Sequence, residues 1–383
     1  MSVPLEFHLS GPDLSDHERS AVGRVLEGAT LALGPWVERF EDQVAVGAGV
    51  SHGIATNSGT SALHLCVRIL GWGDGDEDEI ITTPFSFIAS TNCLLYEGAR
   101  PVFVDVDPVT LNLDTDAVRR AIGPKTRGIL GVDIFGSAAG MTELREIANE
   151  SGVTLLEDAC EAIGAIDKGC PAGSFGDLAT FAFYPNKQIT TGEGGMVVTG
   201  DREYAERARR LRNHGRVAGG DWLAHEELGY NYRMSELSGA LGSAQMDRLG
   251  EILSRRTVVA QEYCKQLDSF PAIEPLSESV DTRRSWFVFP VWLPPSLDRD
   301  LVRAHLFTQG VASAAYFPPL HLFPHIREAT GSKEGDFPVT EEAGRRLLAL
   351  PFHHELGAEE ISEILDRLVR AMDAVEYGWK VMP

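Results

Sequence analysis

Two ionisable residues in the middle of the chain have neighbours that suit covalent chemistry. Asp158 follows a short apolar run at residues 153–157, which predicts a buried strand. A carboxylate at the carboxyl end of a parallel strand lies where α/β sheets bind ligands, or it simply caps the next turn. Lys187 lies between an apolar run at residues 180–184 and a Thr-Thr-Gly-Glu-Gly-Gly turn. A lysine among apolar neighbours is able to form a Schiff base, although most lysines face solvent.

A Schiff-base lysine and a carboxylate together suggest pyridoxal phosphate, whose ring nitrogen needs an acidic partner. That cofactor also needs an anion site. Ser58, Gly59 and Thr60 precede a helical pattern at residues 61–70. Such small and hydroxylic residues either offer backbone N–H groups to a phosphate or only cap the helix. Phe87 supplies an aromatic face for the ring, or else it belongs to the core. The order of these features along the chain favours a pyridoxal-phosphate protein.

The same segments resemble the DegT/StrS-type nucleotide-sugar aminotransferases, which belong to the fold-type-I pyridoxal-phosphate enzymes. The similarity is greatest to the GDP-perosamine-synthase-like members, which aminate 4-keto-6-deoxyhexoses. It covers nearly the whole chain, and the lysine segment and the Asn-Tyr-Arg-Met segment are its most specific parts. The matching segments are residues 34–41, 57–65, 81–91, 157–165, 173–195, 211–216, 229–237 and 317–322.

The resemblance implies a set of cofactor-binding residues, namely Ser58, Gly59, Thr60, Phe87, Asp158, Glu161, Lys187 and Asn231. Two of them are catalytic by this resemblance: Lys187 forms the Schiff base and moves protons, and Asp158 pairs with the ring nitrogen. Phe87 stacks on the ring, and Glu161 lies near the phenolic oxygen of the cofactor. Asn231 reaches the phosphate of a neighbouring subunit, which implies a homodimer with shared active sites. The alternative is that Asn231 only shapes a turn.

The resemblance also implies substrate-binding residues and reveals two departures. His214 and His321 match positions that line the sugar pocket, and Arg233 is suited to a carboxylate or a diphosphate. Each could instead be structural, Arg233 through an ion pair. Ala182 stands where many members have a serine that helps to bind phosphate. Asp133 stands where a histidine is common.

Composition excludes several other classes of protein. The chain has 383 residues and a net charge of −22, which disfavours nucleic acid and anionic membranes as partners. We expect no membrane span and no secretory signal, because no sufficiently long apolar run is present. The five cysteines form no disulfide-like or metal-like pattern, so free thiols, a cytoplasmic location and no metal are predicted.

The elements that must position these residues alternate between strands and helices in the first part of the chain, which predicts a mostly parallel α/β sheet. We predict a large cofactor-binding domain over residues 1–250, N-terminal segment included, with a central sheet sandwiched by helices, and a smaller α/β domain over residues 251–383. The predicted strands cover residues 79–83, 101–106, 127–133, 153–157, 196–199 and 285–293. The predicted helices cover residues 61–70, 88–96, 141–151, 248–267, 298–309 and 357–377.

The functional hypothesis is the transfer of an amino group from an amino acid, L-glutamate by resemblance, to a keto-sugar nucleotide, a 4-keto-6-deoxyhexose by resemblance. One alternative is an aminotransferase acting on a cyclitol or another keto-sugar. A related sugar dehydratase is disfavoured because those relatives replace the lysine with histidine, whereas this chain has Lys187. A third alternative, from another class, is a non-catalytic sensor that binds pyridoxal phosphate.

Overall fold

The computed structural model describes residues 4–75, 77–217, 223–278 and 280–379. The helices in these ranges are α1 (Asp16–Leu26), α2 (Pro35–Gly47), α3 (Gly59–Leu70), α4 (Ala89–Tyr96), α5 (Thr115–Ala121), α6 (Met141–Ser151), α7 (Arg202–Leu211), α8 (Glu236–Asp247), α9 (Leu249–Leu267), α10 (Arg299–Thr308), α11 (Pro324–Thr330), α12 (Pro338–Arg346) and α13 (Ala358–Glu376). The strands are β1 (His52–Thr56), β2 (Glu79–Thr82), β3 (Arg100–Phe103), β4 (Thr126–Val132), β5 (Thr154–Asp158), β6 (Ile166–Asp167), β7 (Cys170–Pro171), β8 (Leu178–Ala182), β9 (Gly195–Thr199), β10 (Glu274–Pro275), β11 (Thr282–Arg283), β12 (Phe289–Trp292) and β13 (Leu347–Leu350).

A seven-stranded sheet forms the centre of the N-terminal part, with the order β1-β9-β8-β5-β4-β2-β3. The neighbouring strands from β8 to β3 in this order are parallel, while β9 is antiparallel to both β8 and β1. The predicted mostly parallel α/β sheet is therefore confirmed. The reversal at β9 arises because residues 183–194 return directly from β8 instead of crossing over through a helix. Lys187 lies in this connection.

Helices cover both faces of the sheet, which explains why its strands are apolar throughout. Leu155 and Leu156 are consecutive residues of β5, and both are fully buried on opposite faces. Leu156 packs in a cluster with side chains of α3, α4 and α7. Leu155 packs in a second cluster with side chains of α2, α5 and α6. This double coverage fixes the carboxyl ends of β4 and β5 firmly in place.

The C-terminal part has a core of its own around the antiparallel sheet β10-β12-β13. Helix α13 buries Ile361, Ile364, Leu365 and Leu368, whose spacing places them on one face. The predicted boundary at residue 250 stays a prediction. Helix α9, which begins at that point, contributes to both cores: Ile252 packs with the large sheet, and later residues of the helix pack with the C-terminal core.

Two predicted strands are shorter in the structure than the apolar runs that indicated them. The strand predicted over residues 101–106 ends at Phe103, because Asp105 turns away to accept hydrogen bonds from the N–H groups of Val339 and Thr340. The strand predicted over residues 285–293 pairs only from Phe289 onward. Its earlier residues bond to other segments, which brings them to the site described next.

Candidate active site

The candidate site is a cavity of about 450 Å³ at the carboxyl end of β5, beside the connection from β8 to β9. The sequence-predicted residues that line it are Ser58, Gly59, Thr60, Phe87, Asp158, Glu161 and Lys187. Ala182 and Glu193 line it too, and the C-terminal part contributes three aromatic side chains, Phe287, Tyr316 and Phe317. The chain therefore brings together most of the residues that sequence reasoning singled out, from four separate segments.

Asp158 ends β5 with its carboxylate fixed through both oxygens. The residue is 4% exposed. Its Oδ2 accepts a hydrogen bond of 2.7 Å from Ser90 Oγ, and its Oδ1 accepts one of 3.2 Å from the N–H of Cys160. The second bond closes a short turn, and in the described chain no helix begins here. Asp158 therefore does not cap a helix, and its buried carboxylate faces the cavity.

Lys187 carries its amine into the cavity between a carboxylate and an aromatic ring. Its side chain is 13% exposed, and Nζ lies 3.4 Å from Oε1 of Glu161. On another side Nζ lies 4.1 Å from the ring centroid of Phe287. Burial raises the pKa of Glu161 above its usual range, while the nearby Lys187 ammonium and a hydrogen bond from the N–H of Phe135 act in the opposite direction.

The turn before α3 caps the helix and also has N–H groups suited to an anion, the two alternatives that the sequence left open. Ser58 caps the helix, because its Oγ accepts a hydrogen bond of 3.1 Å from the N–H of Ser61. Gly59 and Thr60 belong to the first helical turn, whose N–H groups have no partner within the helix and so suit an anion. A Cβ at Gly59 would lie 2.6 Å from Cβ of Ala182, so only glycine allows α3 to approach β8 this closely.

Two phenylalanines separated by one residue have opposite environments. Phe85 is fully buried and packs against Phe135. Phe87 is 57% exposed and lines the cavity. Phe87 is therefore not a core residue and its ring is open to the cavity, whereas Phe85 belongs to the core. Stacking of Phe87 on a cofactor stays a prediction.

A buried acidic pair lies at the carboxyl ends of β4 and β5, next to the site. Asp133 follows β4 and is fully buried, and neither of its carboxyl oxygens has a hydrogen-bond donor among the described residues. It faces Glu157, which already accepts N–H groups from Gly173 and Phe175. Burial and this neighbour raise the pKa of Asp133 well above its usual range, and burial raises the pKa of Glu157 to about 7. Because two ionised carboxylates repel each other, the neighbouring Glu157 disfavours ionisation of Asp133.

Two of the predicted residues lie outside the lining of this cavity on exposed backbone. Asn231 is exposed and its backbone bridges to Asn213. His214 is exposed as well, and its N–H donates to the carbonyl of Tyr230. Neither contacts the cavity of its own chain.

The two remaining predicted residues have structural partners in the chain. Arg233 donates to the side-chain oxygen of Asn213 at 2.9 Å, so its observed partner is an amide and not the carboxylate of an ion pair. His321 is fully buried, with Nε2 3.1 Å from Glu341, and burial lowers its pKa. Both lie outside the lining of the cavity, and their assignment to the substrate stays a prediction.

Sequence reasoning missed several residues of the site. Ser90, which bonds to Asp158, lies four residues after Ser86, and their hydroxyl oxygens are 2.8 Å apart. Ser86 lies in the loop before α4, so the two serines show no helical spacing that the sequence could have revealed. Phe287 and Tyr316 lie far along the chain, in segments to which the sequence assigned no function. Phe317 begins the matching segment 317–322, but no role was predicted for it.

The described ranges also bear on partners and cofactors of other kinds. None of their helices combines the length and the apolar character that crossing a bilayer requires. The same ranges bring together no trio of His, Cys, Asp or Glu side chains suited to a metal ion. All five cysteines are free.

With the geometry established, comparison with known proteins identifies the class. The DegT/DnrJ/EryC1/StrS aminotransferase family matches residues 12–369. The chain belongs to this family, and it is an enzyme of the aminotransferase type.

Proteins similar in sequence and in structure support the family assignment over nearly the whole chain. A GDP-perosamine synthase of Caulobacter vibrioides is 35% identical, covering 98% of this chain and all of the relative. A UDP-N-acetyl-3-dehydro-alpha-D-glucosamine 3-aminotransferase of Acidithiobacillus ferrooxidans is also 35% identical, covering 97% of each chain. The solved structure of Helicobacter pylori PseC, an aminotransferase involved in the biosynthesis of pseudoaminic acid, superposes with a TM-score of 0.92 at 27% identity, over 96% of this chain and 100% of that one. The predicted fold class is thereby confirmed.

Proposed function

We propose that the protein uses pyridoxal phosphate to transfer an amino group from L-glutamate to the ketone carbon of a nucleotide-linked 4-keto-6-deoxyhexose. The observation that carries the proposal is the convergence of Lys187, Asp158 and the first turn of α3 on one cavity. The family match and the sugar-nucleotide names of the relatives support the sugar as acceptor.

The residues present fit this cofactor. The free N–H groups at the start of α3 and the hydroxyls of Ser58 and Thr60 suit a phosphate. The buried carboxylate of Asp158 suits a protonated ring nitrogen, and the exposed ring of Phe87 offers a face for stacking. Glu161 lies beside Lys187 and suits the phenolic oxygen side. When bound, pyridoxal phosphate supplies an aldehyde for amines and a ring that accepts electrons from the adjacent carbon.

The chain's own residues supply the proton transfers. Lys187 Nζ takes the proton from the α-carbon of the amino acid and later returns a proton to the former ketone carbon of the sugar. Asp158 keeps its carboxylate oriented through Ser90 while this occurs. The apolar wall of Phe287 and Phe317 excludes water from the amine, which protects the reacting groups from side reactions.

We also propose that two chains share their active sites. Asn231 is exposed and lies outside the cavity of its own chain, which supports a contact with the phosphate site of a partner chain. The division into domains at residues 1–250 and 251–383 is part of the same proposal, as is a cytoplasmic location. Free thiols throughout are typical of a reducing compartment.

Two measurements test the proposal. First, the purified protein is incubated with pyridoxal phosphate, reduced with borohydride and digested, and the tagged peptide is identified by mass spectrometry. We expect the tag on Lys187 and its absence from Lys187→Ala. An untagged wild-type chain contradicts the cofactor assignment.

Second, L-glutamate is added to the loaded protein, followed by a panel of GDP-, dTDP- and UDP-linked keto-sugars and a cyclitol ketone. We expect the cofactor absorbance to change with glutamate and to return with the accepted sugar, whose aminated product identifies the nucleotide and ring carbon. A response only to a cyclitol ketone favours the alternative substrate. Binding without any response to amines favours a sensor.

A further inference from the structure

The amine of Lys187 makes a contact that the proposed reaction does not account for. Its Nζ lies 4.1 Å from the centroid of the Phe287 ring, in addition to the 3.4 Å contact with Glu161. We propose that Phe287 is a positioning residue for Lys187: its ring face holds the free ammonium against Glu161 whenever the lysine is not covalently occupied. This inference rests on the proposed function of Lys187.

The physical basis is the charge distribution of an aromatic ring. The face of a phenylalanine ring carries partial negative charge and attracts a cation within about 6 Å. Phe287 is buried, so water does not compete strongly for this contact. A carboxylate on one side and a ring face on another restrict the flexible lysine side chain to one region of the cavity. An aliphatic side chain of similar volume would fill the space but would not attract the ammonium.

The backbone that carries Phe287 is held in place by a buried arginine. Arg256 of α9 donates from Nε to the carbonyl of Trp286 at 2.7 Å and from Nη2 to the carbonyl of Phe287 at 2.8 Å. Arg256 is itself fully buried, and burial lowers its pKa to about 10. Because this buried guanidinium donates to two successive carbonyls, it fixes the position of the backbone at Trp286 and Phe287.

A second link connects the segment of Phe287 to Gln188, the residue that follows Lys187. The side-chain amide of Gln188 donates to the carbonyl of Ser285 at 2.8 Å and to the carbonyl of Glu161 at 2.5 Å. One side chain thus connects the lysine loop, the segment with the carboxylate and the segment with the ring. The hydrogen bonds of Arg256 and Gln188 therefore hold the backbone that carries the ring next to the loop that carries the amine.

The test measures the reactivity of the free amine. The full-length chain without cofactor is pulsed with acetic anhydride at one fixed pH, and acetylation of Lys187 is quantified by peptide mass spectrometry relative to the exposed Lys265. Because only the uncharged amine reacts, losing an attraction for the ammonium accelerates labelling. We expect Phe287→Leu and Phe287→Met to be labelled about three- to tenfold faster than the wild type.

Matched variants separate attraction from packing. Phe287→Tyr retains a ring face and is expected to be labelled at the wild-type rate. Phe337→Leu removes a ring that packs on Phe103 outside the cavity, and it too is expected to leave the rate unchanged. The inference is overturned if the aliphatic variants match the wild type, or if the tyrosine variant is accelerated as much as they are.

The two proposals fail separately. If pyridoxal phosphate and borohydride do not tag wild-type Lys187, the proposed function is wrong whatever the acetylation rates are. If Lys187 is tagged but its acetylation does not depend on the ring at position 287, the proposed function stands and the positioning role of Phe287 is wrong. Melting temperatures of all variants are recorded, and the comparison between Leu, Met and Tyr is made on variants with wild-type stability.

Discussion

Ser90 donates a hydrogen bond of 2.7 Å to Oδ2 of Asp158, and both residues are buried. Ser86 lies four residues earlier, in the loop before α4, and its hydroxyl oxygen is 2.8 Å from that of Ser90. Since Ser90 belongs to α4 and Asp158 ends β5, the packing of this helix on the sheet decides the orientation of the carboxylate. The two serines are thus part of the site although neither is expected to react.

Ser90→Ala is expected to weaken retention of pyridoxal phosphate. The substitution leaves Oδ2 of Asp158 buried without its donor, which costs about 1–3 kcal/mol. We expect a dissociation constant about tenfold higher, measured by titrating the cofactor's absorbance or fluorescence. Ser86→Ala is the matched control, because it touches Asp158 only through Ser90, and its effect is expected to be smaller. Equal retention by Ser90→Ala and the wild type contradicts the role.

Asp158→Asn is expected to slow the reaction more than it weakens binding. The amide preserves the shape of the side chain but removes the negative charge that would pair with the ring nitrogen. We expect the single-turnover rate with L-glutamate to fall roughly a hundredfold or more. Stopped-flow absorbance measures that rate, and the cofactor titration run in parallel measures binding. An unchanged rate would be incompatible with the proposed pairing.

Mixing two inactive variants tests whether sites are shared between chains. If Asn231 acts on the partner's site, a dimer of one Lys187→Ala chain and one Asn231→Ala chain contains one intact site. Random exchange of subunits then restores about a quarter of wild-type activity. The measurement is turnover before and after mixing under conditions that allow exchange. No recovery, with exchange confirmed by mass spectrometry, shows that Asn231 does not act in trans.

Ala182→Ser is expected to slow the loss of cofactor. Position 182 lies directly against Gly59, at the start of the turn proposed for the phosphate. An added hydroxyl there offers one more hydrogen bond, worth about 1 kcal/mol or roughly a fivefold slower release. Dialysis against cofactor-free buffer measures the release. Ala182→Cys is the size-matched control, since a thiol is a poor donor, and equal rates for the two variants would contradict the prediction.

Asp133→Asn is expected to stabilise the protein progressively as the pH rises. The pKa of Asp133 is raised in the folded state, so the folded chain binds a proton that the unfolded chain releases above about pH 4. Wild-type stability attributable to this group is therefore complete at low pH and is lost as the pH increases towards the raised pKa. Asparagine carries no such proton, and its amide N–H groups are able to donate to the neighbouring carboxyl of Glu157.

Urea unfolding of both chains between pH 4 and pH 8 measures this difference. The free energy of unfolding of Asp133→Asn relative to the wild type is expected to grow by up to about 1.4 kcal/mol per pH unit within the titrating range. Glu157 remains in the variant. Because its pKa is also raised, the free energy of unfolding of the variant itself still depends on pH in this range. A difference that is constant with pH, or that shrinks, would show that Asp133 is ionised in the folded protein.

The sequence predicted the parts of the site that depend on local signals. Ser58 to Thr60 could be placed because helix starts have recognisable residues, and Lys187 because glycines and apolar runs surround it. The position of Asp158 followed from one strand end. The antiparallel direction of β9 was not predicted, because residue preferences for parallel and antiparallel strands overlap.

Long-range packing decided what the sequence could not show. Phe287 lies beside Lys187 in a segment that Arg256 and Gln188 anchor through hydrogen bonds, and no local pattern records those bonds. The raised pKa of Asp133 depends on complete burial beside Glu157, which is a property of the folded core. The environments of Phe85 and Phe87 diverge for the same reason, although both follow the same strand.

Translation order matters for a cavity built in this way. Asp158 and Lys187 leave the ribosome well before Phe287, Tyr316 and Phe317 have been synthesised, so a growing chain presents its reactive amine with one wall missing. Only a finished polypeptide can shield that amine from solvent. We therefore expect stable binding of pyridoxal phosphate to be among the last events in the maturation of this enzyme.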